Sequence, residues 1–238
     1  MAAILYPIYT LAHLWLFLRL LRLRRRADGR MVGALILQVV ILGLIYDSLI
    51  ISIGRWLGEG ELLLRLNEGR FLVHAVFTPL LMVTTLYFAN RGEVQIAKNR
   101  FSVVVVWLAG FSLIGFGLVT EFVLQSDFIP SEFMGTLRYV HANSILPFPS
   151  ILTIIVIVIL GALIWRKMKW PWVFLGGLVM FIGSAVPTSI VGPVVGSGVE
   201  VFLIGCLVAT EQRLLTPDYS MSEGELDSRI SQVSAERK

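Results

Sequence analysis

The chain has 238 residues, of which 56% are hydrophobic and only 15% charged, with a mean hydropathy of +0.81, whereas an ordinary soluble domain is about a quarter charged. That composition excludes a soluble α/β enzyme, and a single cysteine, Cys206, excludes a disulfide-stapled scaffold. The net charge of +4 and pI near 9.5 are read as cytoplasmic loop charge in so apolar a chain, and no nucleic-acid footprint is present.

Seven apolar stretches, residues 4–23, 31–54, 71–90, 101–124, 145–165, 170–191 and 195–215, each approach the roughly 20 residues that a bilayer demands. The expected fold is all-α: a polytopic bundle of seven transmembrane helices over residues 1–216, followed by a polar, disordered cytoplasmic tail at 217–238. The first stretch carries His13 near its middle and its arginines after, not before, the apolar run, so it reads as an uncleaved span. The second holds Asp47 about two turns from its end, with Gly43 four residues earlier. The connection at 55–70 (RWLGEGELLLRLNEGR) alternates charge around a short apolar run and suggests an interfacial segment or lid, with 62–66 either a separate short helix or the first turns of span three. Its end, Asn67, Glu68 and Arg70, leads into His74 one turn on, with Thr78 a turn deeper and Pro79 beside it.

Span four ends near Glu121, which has Gly117 at i−4. The longest connection follows, carrying Arg138, Tyr139, His141 and Asn143, and Pro147 and Pro149 interrupt the start of span five. Span six contributes Ser184, Pro187 and Thr188, residues 192–198 (GPVVGSG) are expected to make a tight outer turn, and Glu200 lies in the opening turns of span seven with Gly196 at i−4. Each acid thus shares a helical stripe with a small residue that permits close helix approach, which points Asp47, Glu121 and Glu200 toward the bundle interior. Trp56, Trp165, Trp170 and Trp172 stand at span ends as interfacial anchors.

Lysine and arginine are distributed unevenly. Sixteen of the twenty follow spans one, three, five and seven, and only Arg55, Arg65, Arg70 and Arg138 fall on the other side. With eight acids on each side the balance is +8 against −4, so the positive-inside rule puts the N-terminus outside and the tail in the cytoplasm. The three intramembrane acids then reach a similar outer depth. Ionisable groups in hydrocarbon cost at least about 2.5 kcal/mol each on insertion scales, which makes them functional candidates.

The expected site is an outward-facing acidic pocket. Asp47, Glu121, Glu200 and His74 are its catalytic candidates, and Asn67, Glu68, Arg70, Thr78, Arg138, His141 and Thr188 its substrate-binding candidates. Phe77, Phe111, Phe116, Phe181 and Phe202 would wall it lower down. His74, His141 and Asp47 form a zinc set only if they converge, and no paired-histidine, haem, Walker, nucleophile-elbow or dithiol spacing is present, so no metal and no cofactor is expected. Carboxylate acid/base chemistry on a lipid or isoprenoid fits these residues best. In size, span number and carboxylates in an early and the last helix, the chain is similar to the small seven-helix membrane terpene cyclases, in architecture alone and with no residue role carried over. The alternative is a proton- or cation-coupled transporter or a seven-helix sensor. The expected partners are membrane lipids and a hydrophobic small molecule, and the expected location is the cell (plasma) membrane.

Overall fold

A computed structural model describes residues 1–25, 32–143, 145–186 and 192–215. The tail expected at 217–238, together with Pro187 and Thr188, lies outside the described residues. The elements in order are α1 (Ala2–Arg25), α2 (Val32–Leu57), α3 (Glu61–Phe77), α4 (Leu80–Arg91), α5 (Gln95–Lys98) and α6 (Arg100–Val119). A wide π turn (Thr120–Leu124), β1 (Phe128–Phe133), β2 (Thr136–His141), α7 (Phe148–Met168), α8 (Trp172–Ser184) and α9 (Val194–Leu214) complete it. Six helical segments among the described residues are long and apolar enough to cross a membrane: α1, α2, α3 with α4, α6 with its π turn, α7, and α9. Helix α8 is equally apolar but has 13 residues, roughly 20 Å at 1.5 Å per residue.

The third span starts ten residues earlier than the apolar pattern indicates. Helices α3 and α4 together form a 31-residue segment, Glu61–Arg91, about 46 Å long at 1.5 Å per residue and so longer than a ~30 Å hydrocarbon core. Pro79 interrupts it because a proline has no N–H to donate, and the chain passes the break with Thr78 N–H on the His74 carbonyl and Leu81 N–H on the Thr78 carbonyl. Residues 62–66 are therefore the opening turns of this helix and not a separate lid. Leu63 is buried against Ile50 and Leu137, while Leu62 and Arg65 stay exposed.

Helix α4 takes the centre, packed against α2, α6, α7 and α9. A continuous apolar core surrounds it, including Leu37, Ile41, Met82, Ile157, Leu203 and Ile204, all fully buried. Close packing relies on missing side chains where helices cross. At Gly161 of α7, an added Cβ would stand 2.7 Å from the Phe174 backbone nitrogen of α8. Helix α3 instead leans onto α2, α6 and β2, leaving α9 to pack on α1 and α8. The bundle is closed around α4 and looser around α3.

The connection after α6 contains a β-hairpin that composition alone marks as loop. Its register pairs Phe128 with His141, Ser131 with Arg138 and Phe133 with Thr136. Met134 and Gly135 turn the chain with φ of 44° and 88°, the two positive values that a tight two-residue hairpin turn requires. The hairpin lies across one end of the bundle. Its tip accepts a hydrogen bond from Ala3 N–H at the Met134 carbonyl, Phe133 sits on Gly192, the Leu137 carbonyl lies on Gly54, and its base packs on Phe71. At the opposite end Arg19 bonds Gln212, Arg24 bonds Gln38, and Arg91 bonds Glu211. Helix ends thus sort into a hairpin end and an arginine-rich end.

Candidate functional site

The polar residues of the hairpin half assemble around one stripe of α3. Leu63, Asn67, Arg70 and His74 recur every three to four residues, the spacing that aligns side chains on one helix face. Arg70 Nε donates to Asp47 Oδ1 at 2.9 Å, and Arg70 Nη1 donates to Asn67 Oδ1 at 2.6 Å. Asn67 is braced in turn by donating to the Leu63 carbonyl at 2.7 Å. Asp47 and Arg70 are each 8% exposed in their side chains, so this is a buried ion pair. Asp47 has no basic neighbour in sequence, and its partner comes from 23 residues away.

Two glycines create that contact. At Gly43, a Cβ would stand 2.5 Å from Val73 and 2.6 Å from Phe77, so its absence lets α3 close on α2 one turn below Asp47. Gly69 makes room for Tyr46, whose hydroxyl donates to the Leu66 carbonyl at 2.8 Å. Gly117 likewise lets α6 approach Ala75 of α3. The third stripe glycine behaves differently, because a Cβ on Gly196 would meet nothing within 4 Å. Beside Glu200 the small residue leaves open space where a close helix approach was expected, since α3 packs toward α6 and away from α9.

Glu200 is buried, with 8% of its surface accessible, and makes no hydrogen bond or ion pair among the described residues. His74 and Asp47 both lie near enough to act on it electrostatically. His74 itself is exposed, with Nδ1 3.0 Å from the Thr78 hydroxyl. From above, Arg138 of β2 enters the same region. Asp47, Arg70 and Tyr6 all lie within electrostatic reach of it, and its Nε is buried without a hydrogen-bond partner. Burial, and then the neighbouring Arg70 charge, push the Arg138 guanidinium below its ordinary value. Tyr6 on α1 closes the side, its hydroxyl 3.3 Å from Ser197 Oγ of α9.

Asp47, Asn67, Arg70, His74, Thr78, Glu200 and Arg138 are therefore gathered in one region. Glu121 and His141 are not part of it. They pair with each other, Nε2 to Oε2 at 2.6 Å, where the π turn meets the hairpin base, and the His141 ring packs on Phe71 and Phe128 at 4.3 and 4.5 Å. Glu68 turns outward to Arg65 at 3.0 Å. Phe77 is packed inside, whereas Phe111, Phe116, Phe181 and Phe202 are exposed and form no inner wall. Asp47, His74 and His141 do not converge, and no group of three or more His, Cys, Asp or Glu among the described residues is placed to hold a metal ion.

Sequence reasoning missed Tyr6, Ser197 and the Ser48–His13 contact. Ser197 carries a readable signal, three residues before Glu200 and so on its face. Tyr6 carries only the general rule that a phenol in an apolar span seeks a polar partner. His13, fully buried, has Nδ1 3.5 Å from the Ser48 hydroxyl and an unpartnered Nε2. Below this layer the apolar core around α4 forms a floor, so the polar region lies between that core and the hairpin.

This collection contains two guanidiniums, a carboxylate fixed by one of them, a carboxyl with no partner among the described residues, and an imidazole. Such groups can bind a negative charge and move a proton. The chain matches no protein-family model, no curated protein and no solved structure.

Proposed function

We propose that the chain is a multi-pass membrane enzyme that processes a lipid or isoprenoid by carboxylate acid/base chemistry, with Glu200 exchanging the proton. The observation that carries this reading is Glu200 itself. Holding a carboxyl in an apolar helix with no partner among the described residues costs stability, and it stands beside open space with His74 near enough to act on it electrostatically. An unpartnered acid facing a space is what a transferable proton needs. The Asp47–Arg70 pair supplies a fixed field and Asn67 orients it, while Thr78 orients His74. Glu121 and His141 hold the hairpin, and no cofactor is called upon.

In this reading α8 makes the seventh crossing, the hairpin end faces outward in the plasma membrane, and the arginine-rich end is cytoplasmic. Membrane lipids are then both surroundings and substrate source. The closed apolar floor favours an enzyme over a channel. A proton- or cation-coupled carrier or sensor is the alternative, and one observation favours it: Ser48 and His13 extend the polar groups sideways from Asp47 onto α1.

The test is turnover of the purified full chain on panels of prenyl and acyl lipids. Product formation abolished in Glu200→Gln and kept in Glu93→Gln is the expected result. An absence of product with any lipid, together with proton- or cation-coupled uptake in liposomes, would establish the carrier instead.

A further inference from the structure

The charges beneath the hairpin do not balance. Arg70 uses two of its five N–H donors on Asp47 and Asn67, leaving three. Arg138 uses none on any described residue, although its Nε is buried, and it stands close enough to Arg70 for the two cations to repel. Asp47 offers one negative charge to both. Its Oδ1 is already held by Arg70, and Glu200 forms no bond to either guanidinium. Two guanidiniums sharing one carboxylate leave an unmet demand for oxygen acceptors. Guanidinium meets that demand best with a planar or tetrahedral oxyanion, through paired N–H···O bonds.

The surroundings restrict what carries the anion. The hydroxyls of Tyr6 and Ser197 line one side, Ser131 is cross-strand from Arg138, and apolar helices enclose the rest. His74 follows Arg70 by one turn on the same face of α3 and is exposed, so the polar stripe reaches the bundle surface there. A charged head under the hairpin with an apolar tail leaving beside α3 uses both features.

We propose that Arg138 and Arg70 together bind the oxyanion head, phosphate or carboxylate, of an amphiphile, with the hairpin as the element that delivers Arg138 to it. This rests on the enzyme reading above in naming the substrate class, but the binding it asserts is separable from turnover.

The test uses the full chain in a neutral detergent, with the thermal unfolding midpoint read at increasing dodecyl phosphate, dodecanoate, dodecanol and inorganic phosphate. A ligand that binds only the folded state raises the midpoint with concentration. Dodecyl phosphate or dodecanoate should do so and dodecanol should not. Inorganic phosphate raising the midpoint as strongly would assign the site to a free anion, with the same arginines as ligands. In Arg138→Gln the half-saturating concentration should rise at least about tenfold, as expected for loss of a charged hydrogen bond. Arg138→Lys, which keeps the charge, should recover part of it. Equal shifts with dodecanol, no shift with any anion, or an unchanged response in a folded Arg138→Gln protein would overturn the proposal. Glu200→Gln separates the two readings. Binding preserved in that variant while wild-type protein turns over no lipid would leave the anion site standing and remove the enzyme.

Discussion

Asp47 and Arg70 illustrate how a single contact changes the meaning of a residue. In the sequence Asp47 is an isolated carboxylate in an apolar span, and an isolated intramembrane acid reads as a proton carrier. Its partner lies across the α2–α3 connection, and only the glycine at position 43 and the asparagine at position 67 hint that the two helices meet there. A buried pair contributes little net stability, because desolvation offsets attraction, yet removing one partner strands the other. Asp47→Asn should therefore lower stability by ~3–5 kcal/mol, read as a lower denaturant or thermal midpoint. The double variant Asp47→Leu with Arg70→Met should recover most of that loss. A double variant no more stable than the single one would mean that the pair does more than neutralise itself. The same logic separates Glu68 from Arg70: two residues apart on a helix they face different ways, and Glu68 meets Arg65 on the exposed side.

The hairpin is the element least legible in the sequence. Its β1 strand contains Pro130 and several exposed positions, because it is the outer strand of the pair, so its alternation is weak. The inner strand shows no alternation either, its first two residues buried and the next four half-buried, so the Met134–Gly135 turn between the strands was the available cue. Hydropathy could not find it, since the hairpin is stabilised by seating on helix ends rather than by an apolar run of its own. That seating depends on Gly54, under Leu137, and on Gly192, under Phe133. Gly54 lies directly under the Leu137 carbonyl, so Gly54→Ala forces β2 off α2. It should cost about 1–3 kcal/mol as overpacking and accelerate hydrogen exchange or proteolysis within Phe128–His141. Gly196→Ala is the matched control. With nothing within 4 Å of the new methyl, the gain in helix propensity should leave stability equal or raise it by about 0.5–1 kcal/mol. A destabilised Gly196→Ala would show that the space beside Glu200 is already filled.

Across the whole molecule, the charge pattern carried more information than the apolar pattern. Apolar runs located the helices but misjudged where the third begins, because charged opening turns such as Glu61, Arg65 and Glu68 belong to the same helix as the buried ones. The split of basic residues, by contrast, matches the two physical ends: Arg19, Arg24 and Arg91 meet Gln212, Gln38 and Glu211 at one, and the hairpin closes the other. Because α1 begins at the hairpin end and α9 finishes at the arginine-rich end, one labelling experiment fixes every element at once. In a Cys206→Ser background, which removes the single native thiol, Glu132→Cys places a thiol on the exposed face of the hairpin and Gln95→Cys places one on the exposed side of α5. A membrane-impermeant maleimide added to intact cells should label position 132 at once and position 95 only after permeabilisation. The reverse pattern would invert the positive-inside assignment and turn the Arg138 site toward the cytoplasm, where its anionic ligand would have to be sought.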